Sequence, residues 1–457
     1  MTRAWVVADL GFGDSGKGTI VDHLVRTHEA KLVVRWNGGA QAGHAVVTDD
    51  GRTHVFSQLG AGTFVPGVRT HLAEPFVLHP TALLVEARLL PDDVLDRLTI
   101  AESALVITPY HQATNRLREL ARGSARHGTC GVGVGETVRD SLSSGADAIR
   151  ARDLVGDRAV LLRKVSATRE RLIASLGGVL EKNEELDVLD DPSVATRWVE
   201  ALSPLRSRRG LVVPDDALRG MLRAGPAVLE GAQGVLLDER HGFHPHTTWS
   251  DCTPAAACAL LRRHGVDDGI TRVGVLRTYL TRHGEGPFPS EAPALAAHLP
   301  EAHNAGDGWQ GTFRVGHQDM LLMRHALRVS GGVDALALTH VDRLAAASSL
   351  VTAYEGADDP TLFVHDAHQR ALDLRPQDNG DERLGRALRD VRVVLERVAP
   401  DIETFCARLE AEVGVPIALT SAGPTAGAKR ARVPASLYAE RGCRSTRLGS
   451  RAPFCAR

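Results

Sequence analysis

The sequence predicts an α/β fold with a mostly parallel central sheet, helices on both faces and inserted subdomains. Two observations predict it. Within the first 50 residues a strand, a glycine-rich loop, a helix, a second strand and a second glycine-rich loop follow one another. Further short apolar stretches recur along the chain, and each ends in a polar or glycine-containing loop. This arrangement is typical of open sheets that bind ligands beyond the carboxyl ends of their strands.

The predicted elements cover most of the 457 residues. Strands are expected at residues 4–10, 31–36, 104–109, 226–233, 274–281, 334–342 and 415–424. Helices are expected from residue 19 onward and at 112–122, 160–178, 383–398 and 401–412. We assign residues 1–442 to one elaborated domain and expect the arginine-rich residues 443–457 to form a flexible tail.

The composition argues against several classes of partner. The formal net charge is -2, so neither a nucleic-acid backbone nor an anionic membrane is expected. No apolar run approaches the roughly 20 residues that a membrane-spanning helix needs, and Asp9 interrupts the apolar start of the chain too early for a signal peptide. The six cysteines lack the spacing of a zinc site or a disulfide framework, so we expect a cytoplasmic protein.

The first glycine-rich loop, GFGDSGK at residues 11–17, matches the phosphate-binding pattern G-x-x-x-x-G-K. Its backbone N–H groups and the following helix N-terminus can bind a phosphate, with Lys17 as a point charge. The hydroxyl that normally follows the lysine and holds Mg²⁺ is missing, because Gly18 takes its place and Thr19 comes one residue later. Asp14 is therefore the candidate metal ligand. The alternative is a plain glycine turn with a solvated lysine.

Several separated segments resemble the adenylosuccinate synthetase family in order and approximate spacing. They are GDSGKGTIVDHL (13–24), VVRWNGGAQAGHAVV (33–47), LEGAQGVLLDERHGFHPHTT (229–248), TYLTRHGEGPFPSE (278–291), LTHVDRL (338–344) and SAGP (421–424). Because they span most of the chain, the joint match is highly specific for this family.

The resemblance implies a GTP- and Mg²⁺-dependent ligase with a P-loop-like GTP site. The family transfers the γ-phosphoryl group of GTP to O6 of IMP, and the amine of L-aspartate then displaces that phosphate to give adenylosuccinate. Phosphorylation is needed because a lactam oxygen is a poor leaving group. The implied partners are small molecules: GTP, an IMP-like nucleotide and an amino acid.

The resemblance also implies the roles of the catalytic residues. Asp14 matches the base that removes the N1 proton, and its other oxygen is expected to reach Mg²⁺. His44 matches the general acid that supports transfer to O6, and the carbonyl of Gly43 completes the metal contact. Lys17 neutralises phosphoryl charge, and Asp22 is expected to orient His44. The alternative for His44 is an ordinary loop histidine.

Two nucleotide subsites follow from the same resemblance. The expected GTP contacts are Gly13, Ser15, Gly16, Lys17, Gly18, Thr19, Arg314, His340, Asp342, Ser421, Gly423 and Pro424. The expected contacts of the purine nucleotide are Gln41, Thr129, Cys130, Gln233 and Thr248. The Asp342 carboxylate can accept hydrogen bonds from guanine N1–H and N2–H₂, for which adenine has no counterpart. The alternatives are a surface-loop acid for Asp342 and a turn-capping amide for Gln233.

The expected amino-acid loop departs from the family pattern. The family carries several consecutive arginines there, whereas residues 307–319 of this chain retain Arg314, with Thr312 nearby. These two residues are the expected amino-acid contacts. Because losing a charge-assisted hydrogen bond costs about 1.5–3 kcal/mol, the change indicates either a rebuilt loop or a different amine.

The family is dimeric and lends an arginine across the dimer interface to the substrate phosphate. The matching position here is Ser144, and Arg139, Arg150 and Arg152 are the candidate replacements. A homodimer is therefore expected from the resemblance.

Three functions are open at this point. The first is an adenylosuccinate synthetase with a remodelled loop. The second is a paralogous ligase with the same 6-phosphoryl activation but a different amine or a modified purine nucleotide. The third is a non-catalytic GTP-binding protein, against which the intact Asp14, Lys17 and His44 argue.

Overall fold

The fold was determined as a computed structural model that describes residues 3–177, 182–299, 301 and 308–432, and it has the predicted α/β architecture. The predicted tail at 443–457 lies outside the described residues, as does Asp307 of the expected amino-acid loop.

In chain order the strands of the described residues are β1 Ala4–Asp9, β2 Leu32–Arg35, β3 His44–Val47, β4 Thr53–Phe56, β5 Arg69–Leu72, β6 Val77–Leu78, β7 Leu98–Ala101, β8 Leu105–Val106, β9 Val212–Val213, β10 Ala227–Glu230, β11 Ile270–Arg277, β12 Tyr279–His283, β13 Phe313–Asp319, β14 Ala335–Thr339, β15 Ser349–Glu355, β16 Phe363–His365, β17 Ala371–Leu374, β18 Arg392–Arg397, β19 Ile417–Ser421 and β20 Lys429–Ala431. The α-helices are α1 Lys17–Thr27, α2 Pro80–Ala87, α3 Pro109–Arg122, α4 Val134–Ser144, α5 Ala151–Val155, α6 Arg158–Ser175, α7 Glu184–Asp190, α8 Ser193–Ala201, α9 Ser203–Arg206, α10 Ala217–Arg223, α11 Pro254–Arg263, α12 Pro293–Ala296, α13 Met320–Val329, α14 Arg383–Ala387 and α15 Ile402–Val413.

The central sheet has ten strands in the order β20-β19-β14-β11-β1-β10-β2-β5-β7-β9. Every neighbouring pair is parallel except β19 and β20. The carboxyl ends of parallel strands meet at one edge of a sheet. The loops that follow β1, β2, β10, β14 and β19 therefore converge there, and these loops carry the sequence motifs.

Helix α1 packs against the central sheet immediately after the first glycine loop. It begins at Lys17, directly after Gly16 in the left-handed conformation. Its Ile20, Val21 and Leu24 side chains are buried in the main hydrophobic core. Each such side chain contributes about 1.5–3 kcal/mol to stability when fully buried. This packing fixes the position of the loop.

A second, mostly antiparallel sheet is an addition that the sequence reasoning did not predict. Its strand order is β12-β13-β15-β17-β16, and β18 pairs with β15. The segment predicted as one strand at 274–281 is in fact divided between the two sheets, because β11 ends at Arg277 and β12 begins at Tyr279. The break at Thr278 is fixed by a hydrogen bond from its hydroxyl to the carbonyl of His340 (3.0 Å).

The helix predicted at 383–398 was wrong over its second half. Helix α14 is short, and strand β18 follows it. Strand β18 pairs antiparallel with β15 along its length. The valine-rich run of β18 suits a pleated, half-buried surface, so tertiary pairing outweighs the helical pattern that precedes it.

The strand predicted at 104–109 is likewise shorter than expected. It ends at Val106, because Thr108 caps helix α3 and Pro109 occupies the first turn of that helix.

None of the helices in the described part of the chain combines the length and apolar character required to cross a membrane.

Candidate active site

The first glycine loop is closed by a buried carboxylate that was not singled out from the sequence. The two oxygens of Asp9 accept hydrogen bonds from the backbone N–H groups of Gly11 (2.8 Å) and Ser15 (2.9 Å). Lys17 Nζ donates to Asp9 (3.1 Å) and to the carbonyl of Gln233 (2.7 Å). These two contacts fix the buried side chain of Lys17 beside the loop.

Asp14 lies at the tip of this loop in a left-handed conformation (φ 59°). Its carbonyl accepts a hydrogen bond from Arg277 Nε (2.6 Å), and the buried Arg277 is itself paired with Glu301. The Asp14 carboxylate is one-third exposed, and one of its oxygens lies 3.4 Å from Nε2 of His283. The backbone of Asp14 is therefore fixed while its carboxylate faces open space.

His44 begins strand β3 and is oriented by Glu230. His44 Nδ1 contacts one carboxylate oxygen of Glu230, and the other oxygen accepts a hydrogen bond from the Ala61 N–H (2.8 Å). Nε2 of His44 is buried, and no other described residue makes a hydrogen bond to it. Glu230 thus fixes the ring so that its second nitrogen is left for a ligand.

The expectation that Asp22 orients His44 was wrong. Both oxygens of Asp22 accept from Arg26 Nε at 2.9–3.0 Å, one helical turn later on α1. Residues four apart on a helix are neighbours, so the local arginine takes this carboxylate.

The electrostatic environment keeps His44 and Glu230 as a neutral imidazole and a carboxylate. Burial lowers the pKa of His44, and the attraction of Glu230 opposes this only in part. Burial on its own would raise the pKa of Glu230, but its interactions with His44 and Arg35 and the hydrogen bond from the Ala61 N–H hold it below its ordinary value. A negative charge entering beside the ring would favour the protonated imidazole.

Gly18 allows strand β3 to lie directly on the first turn of α1. A Cβ atom at this position would lie 2.9 Å from the Cβ of His44 and 3.0 Å from the carbonyl oxygen of Ala45. A side chain here would displace the strand that carries His44.

The hydroxyl of Thr19 is used for structure. It donates to the carbonyl of Pro424 and accepts from Lys429, which also donates to the carbonyls of Gly423 (2.9 Å) and Thr425 (2.7 Å). Burial lowers the pKa of Lys429 to about 8. Thr19 and Lys429 therefore fasten the 421–425 loop to α1.

A cavity of about 1090 Å³ collects most of the residues selected from the sequence. The selected residues that line it are Gly13, Asp14, Gly16, Lys17, Gly18, Thr19, Gln41, Gly43, His44, Thr129, Cys130, Gln233, Thr248, His340, Asp342, Ser421, Gly423 and Pro424. The volume is at the upper limit of the roughly 300–1,000 Å³ typical of a pocket for one small ligand, which suits two nucleotides side by side.

Ser15, Thr312 and Arg314 lie outside the lining of this cavity. Ser15 is buried under the loop, where its carbonyl accepts from the hydroxyl of Thr339 (2.8 Å). Arg314 donates to Glu291 (2.8 Å) and to the carbonyl of Gly286 (2.9 Å). The guanidinium of Arg314 is thus directed into the 286–291 turn, and the ligand contacts expected of Arg314 and Thr312 remain predictions.

The C-terminal end of β14 supplies the expected base-binding residues. His340 adopts a left-handed conformation (φ 59°), and its ring packs edge-on against Tyr279 at 5.6 Å. Burial lowers the pKa of His340 well below its ordinary value, so the ring is neutral. Asp342 is exposed and forms an ion pair with Arg343 (3.1 Å). A purine base bound here must share the Asp342 carboxylate with Arg343 or displace the Arg343 guanidinium.

Glu119 stabilises the turn at residues 127–131 from the side that faces away from the cavity. This buried carboxylate accepts from the backbone N–H groups of His127 (3.1 Å), Gly128 (3.1 Å) and Thr129 (3.4 Å). These amides are consequently directed away from the cavity. Thr129 and Cys130 of this turn were expected to contact the purine nucleotide, and such contacts must come from side chains and from neighbouring elements rather than from these amides.

The loop at 308–312 packs on the same turn. The indole of Trp309 covers Gly131 and lies 5.5 Å from the guanidinium of Arg116, and Gln310 contacts the thiol of Cys130. Burial raises the pKa of that thiol to about 11, so Cys130 is a neutral hydrogen-bonding group. The described part of this loop is therefore aromatic and polar where the family pattern is cationic.

Sequence reasoning missed Glu230, Arg277 and His283. Glu230 ends an apolar, fully buried strand, and a carboxylate in that setting signals a buried partner. Arg277 ends β11 in the same way. His283 gives no comparable signal, because its contact with Asp14 depends on how β12 leaves the central sheet.

Comparisons with known proteins agree with one another. Residues 6–429 match the family model described as adenylosuccinate synthetase. The chain is 32% identical over 438 residues to an adenylosuccinate synthetase of Chlorobium phaeobacteroides, covering 92% of this chain and 95% of the relative. The chain is 31% identical to one from Pseudomonas aeruginosa, covering 93% and 97%.

Two solved structures share the fold. A fully ligated adenylosuccinate synthetase of Plasmodium falciparum superposes with a TM-score of 0.73 at 21% identity, covering 94% of this chain and 99% of that one. A succinoaminodeoxyadenylate synthetase of cyanophage S-2L, bound to dGMP and dATP, gives a TM-score of 0.54 at 19% identity, covering 96% and 99%. At these identities the likeness concerns the fold alone.

Proposed function

The chain belongs to the adenylosuccinate synthetase family, and from this premise we propose how its residues carry out the reaction. It is a GTP-dependent ligase that condenses IMP with L-aspartate to give adenylosuccinate, GDP and phosphate. One observation carries the assignment of roles: Asp14 and Lys17 of the first glycine loop and His44 of the second line the same cavity.

In the first step Asp14 removes the proton from N1 of IMP, which places negative charge on O6. O6 then attacks the γ-phosphorus of GTP, and the bond between that phosphorus and the β–γ bridging oxygen breaks. Lys17 neutralises charge on the phosphoryl oxygens. The phosphoryl charge favours protonation of His44, and the imidazolium donates from Nε2 while Glu230 holds Nδ1.

In the second step the amine of L-aspartate attacks C6. The bond between C6 and O6 breaks, and O6 leaves with the phosphate. The amine loses its surplus protons to solvent as the new C–N bond forms, N1 of the product stays unprotonated, and Asp14 releases the proton that it took in the first step. Holding the three reactants together supplies much of the acceleration, because it replaces a collision of separate molecules by reaction in a fixed geometry.

The donors present fit a magnesium ion. The Asp14 carboxylate and the Gly43 carbonyl would hold it together with phosphate oxygens of the nucleotide, a donor set that Mg²⁺ prefers. The described residues contain no group of three or more His, Cys, Asp or Glu side chains suited to a metal, which agrees with an ion held largely by substrate phosphates. When bound, the ion would neutralise charge that develops on those oxygens.

GTP would lie along the first glycine loop and extend to the loops after β14 and β19. Its phosphates would contact Gly13, Asp14 and residues 16–19, and its base would lie between His340 and the 421–424 segment, with Asp342 accepting from guanine N1–H and N2–H₂. The purine nucleotide would contact Gln41, Thr129, Cys130, Gln233 and Thr248.

Neither alternative function is favoured. The relatives of about a third identity are adenylosuccinate synthetases over nearly their whole length, which speaks for aspartate as the amine. A non-catalytic GTP-binding protein has no use for the buried pair of His44 and Glu230.

A turnover assay tests the function directly. Purified protein with GTP, Mg²⁺, IMP and L-aspartate should release phosphate and form adenylosuccinate, and omission of any one component should abolish product. A panel of other amino acids run in parallel identifies the amine. Product with another amine and none with aspartate would contradict the proposal, as would turnover of GTP that does not depend on IMP.

We further propose that the enzyme is a homodimer and acts in the cytoplasm. The four cysteines in the described part of the chain are free thiols, as expected in a reducing compartment. Light scattering of the purified protein would give the mass of the assembly, and a monomer at micromolar concentration would contradict a dimer.

A further inference from the structure

Lys429 is a buried amine that contacts the 421–425 loop from outside the cavity. It begins strand β20, which pairs with β19 of the central sheet, and the residue is 5% exposed. Its Nζ donates to the carbonyls of Gly423 (2.9 Å) and Thr425 (2.7 Å) and to the hydroxyl of Thr19. Gly423 and Thr19 line the cavity, whereas Lys429 does not. A single ammonium group therefore joins this loop to the first turn of α1.

The Lys429 amine has these three acceptors but no ion-pair partner within the described part of the chain. The nearby Asp22 of α1 is paired with Arg26 (2.9 Å). A second acid, Asp49 in the turn between β3 and β4, packs against Gly427. Burial lowers the pKa of Lys429 to about 8, and the attraction of the two carboxylates opposes this only in part. The lysine therefore changes its charge near pH 8, well below the range of an exposed lysine.

Two histidines also lie within electrostatic range of this amine. Nδ1 of His23 on α1 lies 3.2 Å from the carbonyl of Ala426, and His340 lines the cavity after β14. Burial lowers the pKa of both rings, so both are uncharged above about pH 7. Of these three groups, the lysine is the one whose charge changes between pH 7.5 and 9.0.

We propose that Lys429 is a positioning residue for GTP and that its protonation is coupled to binding of the nucleotide. This inference rests on the function proposed above, which places GTP in the cavity lined by Thr19 and Gly423. A bound nucleotide brings several negative charges to the other side of these two residues and so favours the ammonium form. Binding then takes up a proton, and the affinity is highest below the pKa of the free protein and falls as the pH rises through it.

Calorimetric titration with GDP and Mg²⁺ tests this coupling without any turnover. The Kd of the parent should rise about three- to tenfold between pH 7.5 and 9.0, because the lysine must regain a proton on binding. At pH 8.0, titrations in two buffers that differ in ionisation enthalpy should report uptake of about half a proton per GDP. Uptake of no proton, or release of a proton, would overturn the coupling.

Three variants assign the proton to its group. K429M removes the amine, so its Kd for GDP at pH 7.5 should exceed that of the parent about 10- to 100-fold and the proton uptake should vanish. K429R keeps its charge throughout this range, so it should bind GDP within a few-fold of the parent at pH 7.5 and without proton uptake. R430M removes the exposed basic neighbour and is the matched control that should behave as the parent.

The K429R variant keeps the test decisive if K429M does not fold, which a thermal melt reveals. A K429R protein that takes up the same half proton as the parent would overturn the assignment to Lys429, because the proton would then enter another group or the nucleotide.

The outcomes separate this inference from the proposed function. A parent protein that binds no GDP overturns the proposed function. A parent that binds GDP, combined with a folded K429M protein of unchanged Kd at pH 7.5, overturns the inference alone. In turnover assays K429M should raise the KM for GTP and leave kcat and the KM for IMP within about threefold. A loss confined to kcat would also overturn the inference, because Lys429 would then act on phosphoryl transfer and not on the position of the nucleotide.

Discussion

The two ends of the cavity are built differently. The phosphoryl-transfer end is formed by loops that leave adjacent strands β1, β10 and β2 of one parallel sheet, and buried ion pairs hold its functional side chains. The expected amino-acid end lies where β13 of the second sheet begins. There Trp309 and Gln310 contact the 127–131 turn in place of the family's cluster of arginines.

On the roles proposed above, this difference separates the two parts of the reaction. Activation of O6 would depend on groups whose positions follow from strand pairing in the central sheet, whereas selection of the amine would depend on a loop outside that sheet. Four substitutions test this division.

Asp14→Asn should have the largest effect. An amide cannot take the N1 proton, so we expect kcat to fall by about 10³-fold or more, within the range for loss of a positioned general base. The backbone contact of Asp14 with Arg277 is retained, so the melting temperature should hardly change. Turnover near that of the parent would show that Asp14 is not the base.

Glu230→Gln should have the second-largest effect. The amide still fills the space but no longer stabilises protonated His44, so we expect kcat to drop by about 10²-fold while the KM values for GTP and IMP stay within a few-fold. Because Arg35 would lose a nearby negative charge, a thermal melt must accompany the kinetics, and Glu230→Asp provides a variant of unchanged charge. An unaltered kcat in a folded Glu230→Gln protein would remove Glu230 from the mechanism.

Asp342→Asn should change the choice of nucleotide. Losing the acceptor for guanine N1–H and N2–H₂ should lower the kcat/KM ratio of GTP to ATP by about 10- to 100-fold. The ion pair with Arg343 is lost too, so Arg343→Ala serves as the control and should leave the ratio near the parent value. A ratio unaffected by Asp342→Asn would place the base elsewhere.

Arg314→Ala should have the smallest effect. Its guanidinium is already engaged by Glu291 and the carbonyl of Gly286 and lies 5.4 Å from the ring of Phe288. We expect the KM for aspartate to change less than about threefold, since the guanidinium is engaged outside the cavity lining and a partly exposed ion pair contributes little. An increase of tenfold or more would mean that the loop rearranges onto the amino acid and that Arg314 binds it.

Much of the phosphoryl-transfer end could be predicted from the sequence. Strand β1, the glycine loop and α1 are adjacent in the chain, so local pattern was enough to place Lys17 and Asp14. Glu230 was missed because its contact with His44 joins residues far apart in the chain, through the pairing of β10 with β2. Asp22 was predicted instead, because it lies on the helix that directly follows the first glycine loop.

The expected amino-acid end of the cavity was harder to predict, because the contacts of its residues also depend on pairing between distant segments. Arg314 was selected by its position in a motif, but its direction depends on how β13 pairs with β12, where it lies opposite Arg282. The second sheet had no local signature, and β18 was taken for a helix because pairing with β15 decides its conformation. Long-range pairing is the information that a single sequence did not supply.

The bare Cα of Gly18 explains why the usual magnesium hydroxyl could not be retained. The volume that a serine or threonine would fill after the lysine is occupied by the strand bearing His44. On the roles proposed above, a proton donor and a hydroxyl ligand would compete for one place beside the phosphates, and this chain has the histidine there. The ion would then depend on Asp14, which would tie metal binding and removal of the N1 proton to a single carboxylate.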